Sequence, residues 1–195
     1  ITGTGGLSYP DRAISSHTAN VDYPVTGGTT TIATTFTASQ TWVANDSGSW
    51  PALMISRTNY ANADSLDASR FIYPSGPSAS NYFVPVAMKI VQSVPQDGFP
   101  AANTWVVVTG YGPAASYGTT DIRTVAFNGA LTFRWDHTFS KVLSDGATAP
   151  DEYAVDLDVS PGNIAVTGNV WTGSDWNIES VFYNLNGKQL GAYEQ

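Results

Sequence analysis

An all-β fold assembled from repeated antiparallel meanders is what this sequence predicts, and three observations predict it. Only 12% of the 195 residues are charged, about half the share of a typical soluble domain. Thr, Ser, Asn and Gly fill the deficit, a composition that suits strands better than helix surfaces. No segment of a dozen residues keeps apolar side chains at helical spacing before Gly, Pro, Asn or Ser interrupts it. Two stretches of the chain also repeat each other.

In chain order, short β-runs separated by turn signals are expected at Trp42–Ala44, Ala52–Ile55, Phe83–Val91, Trp105–Thr109, Ile122–Phe127 and Leu131–Trp135. Four more follow at Tyr153–Val159, Ile164–Thr167, Ile178–Tyr183 and Gln189–Tyr193. Strand is expected over close to half of the chain. The repetition lies in the second half. Asn103-Thr-Trp-Val-Val-Val-Thr-Gly110 matches Asn163-Ile-Ala-Val-Thr-Gly168, and Asp121-Ile-Arg-Thr-Val-Ala-Phe-Asn128 matches Asn177-Ile-Glu-Ser-Val-Phe-Tyr-Asn184. Thr-Gly therefore recurs after 58 residues, from Gly110 to Gly168, and the Asp/Asn-Ile start after 56, from Asp121 to Asn177. A fainter copy begins at Gln40-Thr-Trp-Val43, and Ile1-Thr-Gly3 resembles the end of another Thr-Gly strand.

Each unit reads as four strands. In the last, these are an inner strand (Glu152 to Val159), one ending in Thr-Gly, one ending in Tyr-Asn, and an outer strand (Gln189 to Tyr193). Ser160-Pro-Gly-Asn163 and Asn184-Leu-Asn-Gly187 supply the turns. Four-stranded meanders repeating every 40 to 60 residues or so are the units of a β-propeller. The expectation is thus a single all-β, β-propeller-like domain over 1–195, with about three to four antiparallel blades near 1–28, 29–75, 80–140 and 150–195. Alternate apolar positions Val106, Val108, Val125, Phe127, Val155, Leu157, Ile164, Val166, Val181 and Tyr183 are expected to pack between blades.

Residues 152–187, EYAVDLDVSPGNIAVTGNVWTGSDWNIESVFYNLNG, resemble the bacterial propeller repeat called SBBP, with its Asp-rich inner strand, Gly-Asn, Val-Thr-Gly strand and Tyr-Asn-x-Asn-Gly turn. Residues 103–136 resemble it less fully, because Phe127-Asn128-Gly129 shortens the final turn, and the first hundred residues only weakly. The resemblance implies a propeller fold and leaves activity open. Four blades need sixteen strands, one more than the chain supplies. The missing inner strand is expected from other copies of the chain or from the rest of a larger polypeptide.

A net charge of −8 leaves no bulk basic surface, so nucleic acid is not an expected partner. No apolar run is long enough for a transmembrane helix, and membrane insertion is not expected. Cysteine is absent, which removes thiol catalysis and disulfides. The Thr/Ser/Asn-rich, Lys-poor, acidic composition points to a secreted or cell-surface setting.

No catalytic residue is assigned. His137 beside Asp136 would place the two side chains on opposite faces of a strand, and no Gly-x-Ser-x-Gly elbow accompanies them. Asp156 and Asp158, two apart on one strand, share a face. Their roles divide between capping nearby backbone amides and, as the sharper reading, a calcium site completed by turn carbonyls. The ligand-binding candidates are aromatic: Trp171 and Trp176 bracket a Thr-Gly-Ser-Asp loop containing Asp175, and Tyr111 and Tyr117 lie at turns. Such rings stack on the C–H faces of sugars while polar neighbours take the hydroxyls. Trp42 and Trp105, at equivalent repeat positions, read as core. Asn45-Asp46-Ser47 fits the N-glycosylation pattern. These features favour a non-catalytic extracellular module that binds carbohydrate or protein, or that assembles into a filament or adhesin. A fragment of a propeller enzyme acting on extracellular carbohydrate is the alternative.

Overall fold

The structure, a computed structural model, describes residues 11–25, 28–46, 48–62, 65–92, 104–114, 119–143 and 151–194. The strand expected at Ile1–Gly3, and Tyr117 and Ser47, lie outside them. Strand makes up 79% of the described residues and helix none. The first sheet is a meander of β1 (Arg12–Val25), β2 (Gly28–Asn45), β3 (Gly48–Asn62) and β4 (Ser65–Tyr73). The second runs β5 (Val84–Gln92), β6 (Thr104–Pro113), β7 (Thr120–Asn128), β8 (Phe133–Phe139). The third runs β9 (Asp151–Ser160), β10 (Asn163–Trp171), β11 (Trp176–Asn184), β12 (Gln189–Glu194). Among the described residues every pairing within a meander is antiparallel, and a single parallel bridge, Thr120 to Asp151, joins the second and third meanders into one eight-stranded hydrogen-bonded sheet, whose two halves are called the second and third sheets.

The meanders β5–β8 and β9–β12 fall within the ranges 80–140 and 150–195, whereas the described residues of 1–28 and 29–75 lie together in one sheet. β1 and β2 pair continuously from Arg12–Gln40 to Val25–Gly28, apart from one irregularity near Ser15. Thr-rich β2, 18 residues long, has the branched side chains that favour extended backbone without the apolar alternation that announces a strand. These long strands also raise the strand content above the expected half.

The repeated Thr-Gly has a physical cause. In both later sheets the glycine faces a β-bulge in the preceding strand, between Pro85 and Ala87 opposite Gly110 and between Ala154 and Asp156 opposite Gly168. A Cβ on Gly110 would lie 2.0 Å from the Val84 carbonyl oxygen, and one on Gly168 2.7 Å from that of Tyr153. The bulge bends the inner strand onto its neighbour, and only a residue without a side chain admits it.

The bulge also corrects one core assignment. Val155 is 51% exposed, because the extra residue turns Val155 and Asp156 outward together before alternation resumes at buried Leu157. The other nine expected core residues are buried. They form two layers. Phe36, Ala38, Leu53 and Ile55 of the first sheet meet Met88, Val106, Val108, Val125 and Phe127 of the second. The opposite face of the second sheet, with Val107, Ile122 and Ala126, meets Leu157, Ile164, Val166, Val181 and Tyr183 of the third. Each Val, Leu, Ile, Phe or Met among them contributes about 1.5–3 kcal/mol on leaving water. Trp105 packs at the edge of the second layer under the Arg134 guanidinium, and Trp42 is half-buried.

The turn after β7 is a further correction, since it is not shortened. Asn128 N donates to Thr132 O and Leu131 N to Asn128 O, as Asn184 N does to Lys188 O and Gly187 N to Asn184 O. Leu131 (φ 58°) takes the left-handed position that Gly187 (φ 83°) fills in the third sheet.

Candidate functional site

At the end of the sheets where β6 finishes and β9 starts, aromatic rings form a continuous strip. Tyr111 near the end of β6 meets Tyr153 of β9 edge to face at 4.9 Å. Tyr153 leads to Trp176 at 5.8 Å, and Trp176 to Trp171 at 5.4 Å. The last pair is set by register, because Trp171 and Trp176 are directly opposed at the mouth of the β10–β11 hairpin. Between them Thr172 N and Thr172 Oγ1 both donate to Asp175 O, while Asp175 N donates to Thr172 Oγ1. Gly173 at φ 94° closes the loop. This holds Asp175 exposed beside Trp176, itself 52% exposed.

On β9, Asp151 stands opposite Trp171 and accepts a hydrogen bond from Thr120 Oγ1. Tyr82, just before β5, extends the strip towards the first sheet, where it stacks on Trp50 at 6.4 Å and 15°. Burial pushes the Tyr82 hydroxyl above its ordinary range, with Tyr111, Tyr153 and Asp151 adding to the rise. Tyr111 is raised by burial and by Tyr153, against an opposing pull from Arg12. These hydroxyls stay protonated and can both donate and accept hydrogen bonds.

The structure thus brings together Trp171, Trp176, Asp175 and Tyr111. Tyr153 and Tyr82 join them, although sequence reasoning placed Tyr153 in a strand and gave neither a role. The available signal was parity, since Tyr153 alternates with the buried Glu152 and so faces away from the core.

Asp156 and Asp158 do share the outer face of the third sheet, apart from the strip. Asp156 Oδ1 accepts from Leu157 N at 2.8 Å and Asp158 Oδ1 from Val159 N at 2.9 Å, which is the capping role. Among the described residues no cluster of three or more His, Cys, Asp or Glu side chains could hold a metal ion. Asp136 and His137 point apart. His137 packs against Trp135 and Tyr183, whereas Asp136 takes a forked bond from Arg123 Nε and Nη2 at 3.1 and 2.6 Å. Arg123 also donates to Tyr73 Oη, Asn81 Oδ1 and Tyr82 O, so this cluster fastens the 73–82 segment onto β7 and β8.

One further group is strongly perturbed. Glu152 is fully buried, and its carboxyl is pushed up to about 8, chiefly by burial and further by Asp121 and Glu179. Its Oε1 accepts from Lys141 N, while its Oε2 and Asp121 Oδ1 have no hydrogen-bond partner among the described residues. The Lys141 ammonium bonds Glu179 at 2.5 Å and Glu194 at 2.6 Å. No family model, curated protein or solved structure matches this chain.

Proposed function

We propose that the protein is a non-catalytic carbohydrate-binding module of propeller-like build, working in a secreted or cell-surface setting, with the strip from Tyr111 to Trp171 as its sugar platform. The observation that carries this reading is the run of four rings, Tyr111, Tyr153, Trp176 and Trp171, spaced 4.9 to 5.8 Å apart and including the half-exposed Trp176 indole beside Asp175. Rings offer apolar faces to sugar C–H groups, and Asp175 and the tyrosine hydroxyls offer hydrogen bonds. Neither histidine lies along the strip. His17 is on β1 opposite Phe36, and His137 packs against Trp135 and Tyr183, which favours binding over acid–base chemistry.

A propeller-like arrangement is supported by how the meanders stack. The first strand of the second sheet, β5, packs across β1, β2 and β3. The first strand of the third, β9, packs in the same way across β5, β6 and β7. A relation applied twice in the same sense is what successive blades of a propeller share.

The test is affinity electrophoresis of the full chain through a panel of soluble polysaccharides, with reducing-sugar release measured alongside. Retardation by at least one polysaccharide without turnover is expected, and Trp176→Ala is expected to weaken it about tenfold. Sugar release would replace this reading with the enzyme alternative. Retardation unchanged in Trp176→Ala would move the site off the strip.

A further inference from the structure

The outer face of the third sheet is the counterpart of a face that the second sheet keeps buried. Register makes the correspondence residue by residue. Val108 pairs with Val125 as Val166 pairs with Val181, so Val107 and Ala126 in the second sheet correspond to Ala165 and Phe182 in the third. Val107 and Ala126 are fully buried beneath the third sheet, whereas Ala165 and Phe182 are only half-buried. They line an open hollow of about 440 Å³ with Asp158, Leu190 and Tyr193. Leu190 and Tyr193 are 53% and 65% exposed, and Val155 and Ile178 on the same sheet are also about half exposed. Asp156 and Asp158 add negative charge to this apolar surface.

At the other end of the stack, the outer face of the first sheet has the opposite character. Ser16 and Thr18 of β1, Thr37 and Thr35 of β2, and Ser56 and Thr58 of β3 stand in register across three strands. Hydroxyl bonds join Ser16 to Thr37 and Thr18 to Thr35. Short side chains leave the face low enough for a second sheet to approach to about 10 Å. Arg70 stands opposite Ser56 on this face and is exposed.

From these two faces we infer that a second copy of this chain docks head to tail, its first sheet covering the outer face of the third sheet. Two observations select this occupant. The stacking relation already used twice, with the first strand of one unit crossing the preceding unit, would lay the β1 of a second copy across β9, β10 and β11. Charge then chooses between the two ways of pairing copies. Third sheet against third sheet would oppose Asp156 and Asp158 to themselves, whereas first sheet against third brings Arg70 to them. A contact between two different faces is heterologous, and it repeats from copy to copy until a ring closes. On the third sheet it uses the part of the outer face around Ala165 and Phe182, whereas Trp171 and Trp176 of the sugar platform stand on the same face at the opposite end of the β10–β11 ladder.

Size-exclusion chromatography with light scattering on the full chain, over a hundredfold range of concentration, tests the inference. A mass above the 20.7 kDa monomer is expected at the upper end. Phe182→Asp and Arg70→Asp are each expected to weaken association at least tenfold, with far-UV circular dichroism unchanged. Mixing these two variants should give a species of two chains that grows no further, because one intact face remains on each. Arg70→Asp combined with Asp156→Arg and Asp158→Arg should recover association. A monomer at every concentration overturns the inference. So does association that Phe182→Asp abolishes and Arg70→Asp leaves intact, which would mean third sheet against third sheet.

Discussion

Gly110 and Gly168 stand opposite equivalent bulges in the second and third sheets, yet different atoms crowd them. Around Gly110 the three nearest atoms are all backbone: Val84 O at 2.0 Å, Val84 C and Pro85 Cα at 2.9 Å. Around Gly168 the nearest atom, at 2.4 Å, is the Ile122 Cδ1 methyl, the movable end of a side chain from the second sheet, and the one backbone atom among its three nearest, Tyr153 O, stands further off at 2.7 Å. The turns after β7 and β11 differ in a similar way. Leu131 accepts the cost of a left-handed backbone and is buried in the layer between first and second sheets. A Cβ on Gly187, at the matching position, would strike the Trp135 ring at 2.8 Å. Backbone geometry is what the repeat preserves. Which side chains it carries depends on the neighbour each sheet meets.

The largest way to break this comparison is Gly110→Ala. With a carbonyl in the way and no flexible atom to yield, it is expected to cost about 4 kcal/mol, near the upper limit for single substitutions. Gly168→Ala, where Ile122 can rotate and the Tyr153 carbonyl has only to give from 2.7 Å, is expected to cost less, about 3 kcal/mol. Urea denaturation of both variants measures the difference, and equal costs would show that the two bulges are crowded alike.

A second contrast lies two residues before each bulge, where the second sheet has Phe83 and the third Glu152, both fully buried. The folded Glu152 carboxyl titrates near 8 against an ordinary value of 4.5, so the native state holds a proton that the unfolded chain releases. Its contribution is fully present below about pH 4.5, falls as pH rises, and is lost above about pH 8. Asp121, raised in the same direction by burial, adds to the trend. Unfolding free energies at pH 5, 7 and 9 are expected to drop by on the order of 3 kcal/mol across the series. Glu152→Gln should flatten most of that slope. A wild-type profile already flat would mean that the carboxyl reaches water.

The smallest test sharpens the bulge itself. Val166→Ala, on the buried face, is expected to cost about 2 kcal/mol, whereas Val155→Ala, turned outward, should stay within about 0.5 kcal/mol. Comparable losses at the two sites would return Val155 to the core.

The second and third sheets were legible because Val106, Val108, Ile164 and Val166 alternate in step with the register and because Thr-Gly marks the bulge. The bulge was not legible as such: a strict period of two puts Val155 inward, and the extra residue appears only once Gly168 is seen against the Tyr153 carbonyl. The first sheet was obscure for a different reason. Its strands are held by long ladders, and Thr-rich β2 shows extended backbone through β-branching alone. Part of the candidate site could be read locally, since Trp171 and Trp176 bracket one short loop. Tyr153 and Tyr82 could not, because they reach the strip only when β9 and the segment before β5 come together in space.

The meander order of all three sheets has a consequence for how the chain reaches this structure. Among the described residues every extended ladder joins strands that are neighbours in sequence, and the only pairing between one meander and another is the bridge from Thr120 to Asp151. Closing a short loop costs far less chain entropy than bringing distant segments together. A β-rich protein wired in this way has a lower contact order than a Greek-key sandwich of equal length, and low contact order goes with rapid folding. Strand pairing within each sheet therefore needs only local chain closure, and the long-range entropy cost falls on the contacts between the apolar layers.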